Sequence, residues 1–400
     1  MNTRPLLLAV SIIGLLISAC SQPTDVQTPS LEPQFGTALD DRADAVATDP
    51  QRGAVYVAGT DSIDPDEPGE QGGNIFLRRY NRDGSLNWQK RLFSTYTDPR
   101  VNGLYTDTAG NVYIGWSEFS LDGYLDAVLV KLDPSGRQLY RVDLDNGIRD
   151  FELDAKGNAY ISGLADRDGQ VEREFVRKYN ARGQKVWGRA RLYDSSYDII
   201  AGFEVPIPDE LSPATDGSLY VRGYIDGKSV LTKYSSGGRA LWQRSLPRDF
   251  SSAIVTASGN DVYLSSRHLY YGETGNVTVR KYDANGNKLL DRTLAGTETV
   301  FTRSLRLDKA GNIYLVGSIT RGDKDLDLIV RKYNAAFETI WTYAPKLTGT
   351  WERAAEVALT DSRSVFVVGG TTSRVNGKNF GGADAFLLHL NNQGKKVWSR

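Results

Sequence analysis

The chain is poor in the residue types that carry most metal and redox chemistry. Its 400 residues hold one cysteine (Cys20), one methionine and two histidines, His268 and His389. A single cysteine excludes an internal disulfide framework and a CxxC redox motif. Two histidines leave almost no material for a His/Cys metal centre, and no metal site is expected. The charges nearly cancel, with 48 Lys and Arg against 49 Asp and Glu. There is therefore no electrostatic footprint for nucleic acid, and none is expected as a partner. No apolar run reaches the roughly 20 residues that span a bilayer as a helix. What the chain has in quantity is glycine, 40 residues, and aromatic rings.

The longest apolar stretch, Leu6 to Ile17, follows Arg4 and has the length of a signal-peptide core. It ends in Ile17-Ser18-Ala19-Cys20, which resembles a bacterial lipobox. The resemblance implies cleavage before Cys20 and acylation of its sulfur and amino group, the palmitate-type modification of a lipoprotein. More than one acyl chain makes such an anchor stable, where one is marginal. Residues 1–19 are thus expected to be a lipoprotein signal peptide. Residues 20–34 are polar and carry three prolines, at Pro23, Pro29 and Pro33, so they are expected to form a flexible, disordered tether. The expected location is the extracytoplasmic side of a bacterial membrane, the outer membrane where there is one.

From Phe35 to Arg400 the chain repeats. Triplets of the type Lys-Tyr-Asn recur as Arg79-Tyr80-Asn81, Lys131-Leu132-Asp133, Lys178-Tyr179-Asn180, Lys233-Tyr234-Ser235, Lys281-Tyr282-Asp283, Lys332-Tyr333-Asn334 and His389-Leu390-Asn391. Their central residues lie 52, 47, 55, 48, 51 and 57 residues apart. Each is preceded by an aliphatic-aromatic pair or its variant, such as Val55-Tyr56 or Ile313-Tyr314. In five units glycine stands three residues after that pair's aromatic, at Gly59, Gly163, Gly223, Gly317 and Gly369. Ser266 breaks this pattern, and Tyr140 and Leu290 replace a recurring tryptophan. Each unit reads as four short strands, A to D, with Asn/Asp and Gly forming the turns. Seven such units predict an all-β fold, a seven-bladed β-propeller of four-stranded antiparallel blades over 35–400.

The unit resembles the bacterial seven-bladed propeller repeats of SBBP type. The nearest match is Gly381-Gly382-Ala383-Asp384-Ala385-Phe386 with Leu390-Asn391 and Trp398. The unit boundaries put a complete set of four strands in the last blade, so no strand exchange is expected to close the ring. Gln34-Phe35-Gly36 could extend its outer edge.

Strand order places the A–B and C–D turns on one face and the longer, variable B–C and D–A loops on the other, including 60–73, 116–125, 190–200, 267–275, 345–352 and 370–383. Loops of this kind on a rigid scaffold commonly carry function. Trp116, Tyr124, Tyr193, Tyr197, Tyr270, Tyr271 and Trp351 fall in them, with Phe119 and Phe380, and form the expected binding face. The repeated Trp88, Trp187, Trp242, Trp341 and Trp398 are expected to pack between blades. The strand-C cations are expected to face solvent.

The expected activity is binding rather than catalysis. The chain reads as a monomeric, membrane-anchored binding or scaffold module for an envelope protein or glycan. No cofactor is implied, although acidic clusters at Asp61 to Glu70 and Asp323 to Asp327 offer incomplete calcium ligand sets. A rival reading is a hydrolase of carbohydrate or ester, using channel-side Asp44, Asp150, Glu152, Glu352 and Glu356, with Arg149, Arg303 and Arg353 nearby, or using His268. A third is a structural surface lipoprotein with no specific ligand.

Overall fold

A computed structural model describes residues 41–400, except position 50 and the segments 62–73, 94–96, 120–124, 145–146, 166–172, 193–198, 201–202, 205–206, 249–252, 267–275, 295–299, 322–324, 346–350, 361–363 and 373–381. The signal-type segment, Cys20 and residues 20–36 lie outside the described residues. So do Tyr124, Tyr193, Tyr197, Tyr270 and Tyr271, together with His268 and Phe380.

Seven four-stranded antiparallel sheets follow one another along the chain, from Asp41 to Phe93, Thr97 to Leu144, Gly147 to Leu192, Ile207 to Ser245, Ala253 to Thr293, Val300 to Tyr343 and Glu352 to Ser399. We number them blades 1 to 7. In each, neighbours in sequence are neighbours in the sheet, so every blade is a four-strand meander. A short extra hairpin pairs Ile199–Ile200 with Phe203–Glu204 ahead of blade 4. Among the described residues no helix is long and apolar enough to cross a membrane.

Turn chemistry explains the regular spacing. In the C–D turn of blade 2, the Asp133 carboxylate accepts the backbone N–H groups of Ser135 and Arg137, at 2.9 and 3.0 Å. Gly136 follows at φ 85° and closes the turn by donating to the Asp133 carbonyl. Asp154, with Lys156 and Asn158, builds the A–B turn of blade 3 in the same way.

The apolar core lies between the blades. Seven buried clusters each join two consecutive blades, and the last joins blade 7 to blade 1 through Val46, Val57 and Phe76 against Phe366, Val368 and Leu387. The chain is a closed seven-bladed β-propeller. All four strands of blade 7 come from the C-terminal stretch, so the ring closes without strand exchange among the described residues. Polar contacts reinforce that seam. The Arg400 guanidinium donates to the Gly84 carbonyl at 2.7 Å, and the Asp41 N–H to the Ala383 carbonyl at 2.7 Å.

The repeated tryptophans are bolts between blades. Each indole Nε1 donates to a carbonyl in the next blade's C–D turn: Trp88 to Pro134, Trp187 to Ser236, Trp242 to Ala284, Trp341 to Asn392 and Trp398 to Arg82.

The strand-C lysines overturn one expectation. They do not face solvent. Lys131, Lys178, Lys233 and Lys332 are buried. Their ammonium groups, with that of Lys281, sit 4.7 to 5.2 Å from the ring centres of Tyr113, Tyr160, Tyr220, Tyr314 and Tyr263. Lys131 and Lys233 also donate to the carbonyls of Ala181 and Ala284 in the following blades, at 3.3 and 3.1 Å. A cation held over a ring with a carbonyl beyond it tolerates burial, because both replace lost water. Blade 7 has His389 at this position, stacked on Phe366 with ring centres 4.4 Å apart.

Candidate functional site

The site grows out of an irregularity in the inner strands. These run Asp41–Asp49, Thr97–Thr106, Gly147–Leu153, Ile207–Pro213, Ala253–Ser258, Val300–Leu307 and Glu352–Leu359. In six of the seven, pairing with the second strand skips one residue. The extra residues are Asp44, Asn102, Arg149, Asp209, Arg303 and Ala355. Such a bulge leaves one residue unpaired and re-aims its side chain.

The recurring glycine of the second strand explains the bulge. A Cβ on Gly59 would stand 1.9 Å from the carbonyl oxygen of Arg42, and one on Gly163 equally close to that of Gly147. The inner strand folds into the space a side chain would occupy. Blade 5 has Ser266 there, and its inner strand pairs without a shift. Blade 2 has Trp116 there, but glycines face each other at Gly103 and Gly115 and the bulge remains.

All six extra residues line one cavity of about 270 Å³ in the channel, and so do the residues that follow them: Ala45, Gly103, Asp150, Glu210, Ser304 and Glu356. Tyr105, Glu152 and Arg306 contribute from further along their strands. The inner strands begin at the variable-loop face and run toward the A–B turns. The lining runs from the mid-strand bulges on toward those turns, through Tyr105, Glu152 and Arg306, so the cavity occupies the middle of the channel and its A–B-turn side.

Several of these groups hold neighbouring blades together. Asp150 accepts the Leu211 N–H at 2.7 Å, across the junction of blades 3 and 4. Glu356 accepts the Val46 N–H at 3.1 Å across the closing seam and the Arg306 guanidinium at 2.7 Å. Asn102 donates to the Ile148 carbonyl at 3.0 Å. Asp209 pairs with the fully buried Arg222, and Arg149 with Glu174 at 3.3 Å.

Other polar atoms here are not consumed in this way. Asp44 meets Arg42 through one oxygen at 2.9 Å, while its Oδ2 has no hydrogen-bond partner. The hydroxyl of Ser304, a residue 5% exposed, has none either.

Burial dominates the electrostatics. It pushes the Asp44 carboxyl up to about 6 against the pull of Arg42. Burial raises Asp150, and the Glu152 charge adds to it. Burial likewise raises Glu152, which Arg306 opposes and Glu356 reinforces. Glu356 is raised by burial against Arg306. Burial disfavours the Arg306 charge, but Glu356 and Glu152 outweigh it and hold the guanidinium protonated. The Tyr105 hydroxyl, hydrogen-bonded to Glu152, is raised well above its usual value by burial and that carboxylate. The result is a polar chamber in which burial holds Asp44, Asp150, Glu152 and Glu356 above the usual carboxylate range.

The structure thus brings together Asp44, Asp150, Glu152, Glu356, Arg149 and Arg303 of the residues noted from sequence. It leaves out Glu352, which is buried and accepts the Thr371 hydroxyl at 3.1 Å, and Arg353, which lies over the Trp351 ring. Sequence reading missed Tyr105, Asn102, Asp209, Glu210, Ser304 and Arg306. The signal available for them was the register imposed by the second-strand glycine.

Trp116 is a correction. The second strand of blade 2 extends to Phe119, so Trp116 lies within it rather than in a loop. The ring is 1% exposed, belongs to the core between blades 1 and 2, and donates from Nε1 to Glu118 at 3.1 Å. Trp351 is 39% exposed at the start of blade 7 and is carried by paired bonds to Thr372. Among the described residues no group of three His, Cys, Asp or Glu is arranged to hold a metal ion.

A scan against protein-family models finds no match, and a search of curated proteins finds none. Solved structures match the whole ring. The β-propeller domain of the Trilobed protease from Pyrococcus furiosus, which has an open velcro topology, gives a TM-score of 0.53 at 11% identity over 90% of this chain and 96% of that one. A structure from a study of two prolyl endopeptidases gives 0.56 at 12% identity, over 91% of this chain and 50% of that one. This chain therefore spans half the length of that endopeptidase. The likeness is one of fold: both relatives share the propeller with this chain.

Proposed function

We propose that the protein is a lipid-anchored extracytoplasmic propeller, with repeats of SBBP type, that binds a polar group displayed by an envelope protein or glycan in the channel. The observation that carries this reading is the cavity itself. Six bulges converge on one polar chamber, and two of its polar atoms, Asp44 Oδ2 and Ser304 Oγ, have no hydrogen-bond partner. Buried polar atoms are normally satisfied by protein, water or ligand, so these two are open to a bound polar group. Trp351 is the aromatic of the expected binding face that stays exposed among the described residues.

The test is cross-linking of the intact protein in its own membranes with quantitative mass spectrometry of the captured molecules. Wild type should enrich a partner that the Asp44→Asn/Ser304→Ala double variant loses. Equal capture by both would remove the cavity from the account. The anchor is tested separately: Cys20→Ser should abolish fatty-acid labelling.

A second reading, hydrolysis through the same acids, has one observation in its favour. Asp44, Asp150 and Glu152 are raised toward the range where carboxyls act as general acids. Turnover of a carbohydrate or ester that falls in both Asp44→Asn and Asp150→Asn would establish it.

A further inference from the structure

We infer that the group bound in the channel is a cation bearing a primary ammonium, of about the size of one sugar ring. This rests on the channel reading above and adds the ligand's charge. The first argument is the sign of the lining. Six carboxyl groups border the cavity, at Asp44, Asp150, Glu152, Asp209, Glu210 and Glu356, against the guanidiniums of Arg149, Arg303 and Arg306. Each arginine whose ion pair is resolved is already engaged: Arg149 by Glu174 and Arg306 by Glu356. Asp44, Asp209 and Glu356 are likewise matched by Arg42, Arg222 and Arg306, so the acid in excess is that of Asp150 and Glu152, which a cation compensates and an anion does not.

The second argument is the hydrogen-bonding character of the vacant positions. Asp44 Oδ2 is an acceptor and Ser304 Oγ can accept, and both atoms are buried without a partner. An ammonium offers three donors and no acceptor. It can donate to a carboxylate or to a hydroxyl, and it carries the compensating charge that a neutral hydroxyl lacks. The third argument is size. At roughly 30 Å³ per water, the cavity holds about nine waters, enough for a compact organic amine.

A proton balance follows. Asp44 is faced by Arg42 on its own strand and by Arg100 from blade 2, and burial still holds it raised. Asp150 and Glu152 face one another, Arg306, Glu356, Glu210 and Tyr105. A cation entering this chamber favours the ionised acids, so they release protons as it binds and affinity rises with pH.

The experiment is isothermal titration of the full-length protein in detergent, with glucosamine and putrescine as probes and glucose and butanediol as their uncharged counterparts. It is run in two buffers of different ionisation enthalpy and from about pH 5 to about pH 7, where both ammonium probes stay protonated. The inference predicts at least about tenfold tighter binding of an ammonium probe than of its counterpart, equivalent to about 1.4 kcal/mol. It also predicts proton release, and loss of the preference in Asp44→Asn/Ser304→Ala. Equal binding of charged and uncharged probes, lost in the double variant, would overturn the charge assignment and leave the channel reading standing. Ammonium binding unchanged in the double variant would overturn both. Failure of both ammonium probes to bind would overturn the inference.

Discussion

The carboxylate of Asp150 accepts the backbone N–H of Leu211 at 2.7 Å, so a residue lining the channel is also a fastener between blades 3 and 4. Its other oxygen accepts the N–H of Phe151 at 2.9 Å. Asp150→Ala leaves a buried N–H without a partner and should cost about 1–3 kcal/mol. Asp150→Asn keeps an acceptor and should cost less. Chemical denaturation of the two variants checks the order, and equal losses would mean that the contact contributes little.

Stability should fall as pH rises from about 5 to about 8. A raised carboxyl holds a proton in the folded state that the unfolded chain has released. Its contribution is full below the usual carboxylate range and is lost as pH climbs through the folded value. Asp44, Asp150, Glu152 and Glu356 all have this sign. His389, lowered to about 4 by burial and by Arg82, works the other way. It is one group against these four and Asp61, which burial also raises. At lower pH the turn aspartates take over: Asp133, held down by Ser135 and Arg137, and Asp283, held down by Asn287, lose their contribution as they protonate. The melting temperature should therefore peak at mildly acidic pH, and Asp44→Asn should flatten its alkaline decline.

Lys233→Met should destabilise the protein by about 2 kcal/mol, because it removes a buried charge-assisted hydrogen bond and a cation–π contact together. Lys233 is 3% exposed, over Tyr220 and bonded to the Ala284 carbonyl. Replacement of the exposed Lys288 should leave the melting temperature within error. Equal effects at the two positions would contradict the clamp.

One junction departs from the tryptophan rule in two places at once. Elsewhere the turn glycine lies beneath the preceding blade's aromatic, as Gly394 does beneath Trp341. Between blades 5 and 6 the aromatic is replaced by Leu290 and the glycine by Phe337, held at φ 68° and packed against the local core. Leu290→Trp and Phe337→Gly should each destabilise alone. Together they should recover about 1 kcal/mol or more relative to the sum. Additive losses would show that the two positions are independent.

The blades were legible because each turn, anchor and tryptophan recurs at one period, and a seven-fold signal survives the loss of Trp at Tyr140 and Leu290. Burial of Lys131 and Lys233 was not legible. Their partners are a ring on the neighbouring strand and a carbonyl in the next blade, which the alternation within strand C does not reveal. Trp116 was misplaced because the second strands, in this blade as in the others, continue past the position of the recurring glycine, where a loop was expected to begin. The acids of the inner strands could be read as channel-side, but their convergence depends on bulges. Those follow from the absence of a Cβ at positions such as Gly59, a feature of register rather than of composition. Tyr105 and Arg306 carried no pattern of their own.

The most direct measurement is hydrogen–deuterium exchange on the full-length protein, with and without the ammonium probe that binds most tightly. The account predicts slowed exchange in the inner-strand peptides around Asp44, Arg149 to Glu152 and Ser304 to Arg306, and unchanged exchange in the outer strands. Protection confined to the outer strands, or bound probe with no protection of the inner strands, would contradict it.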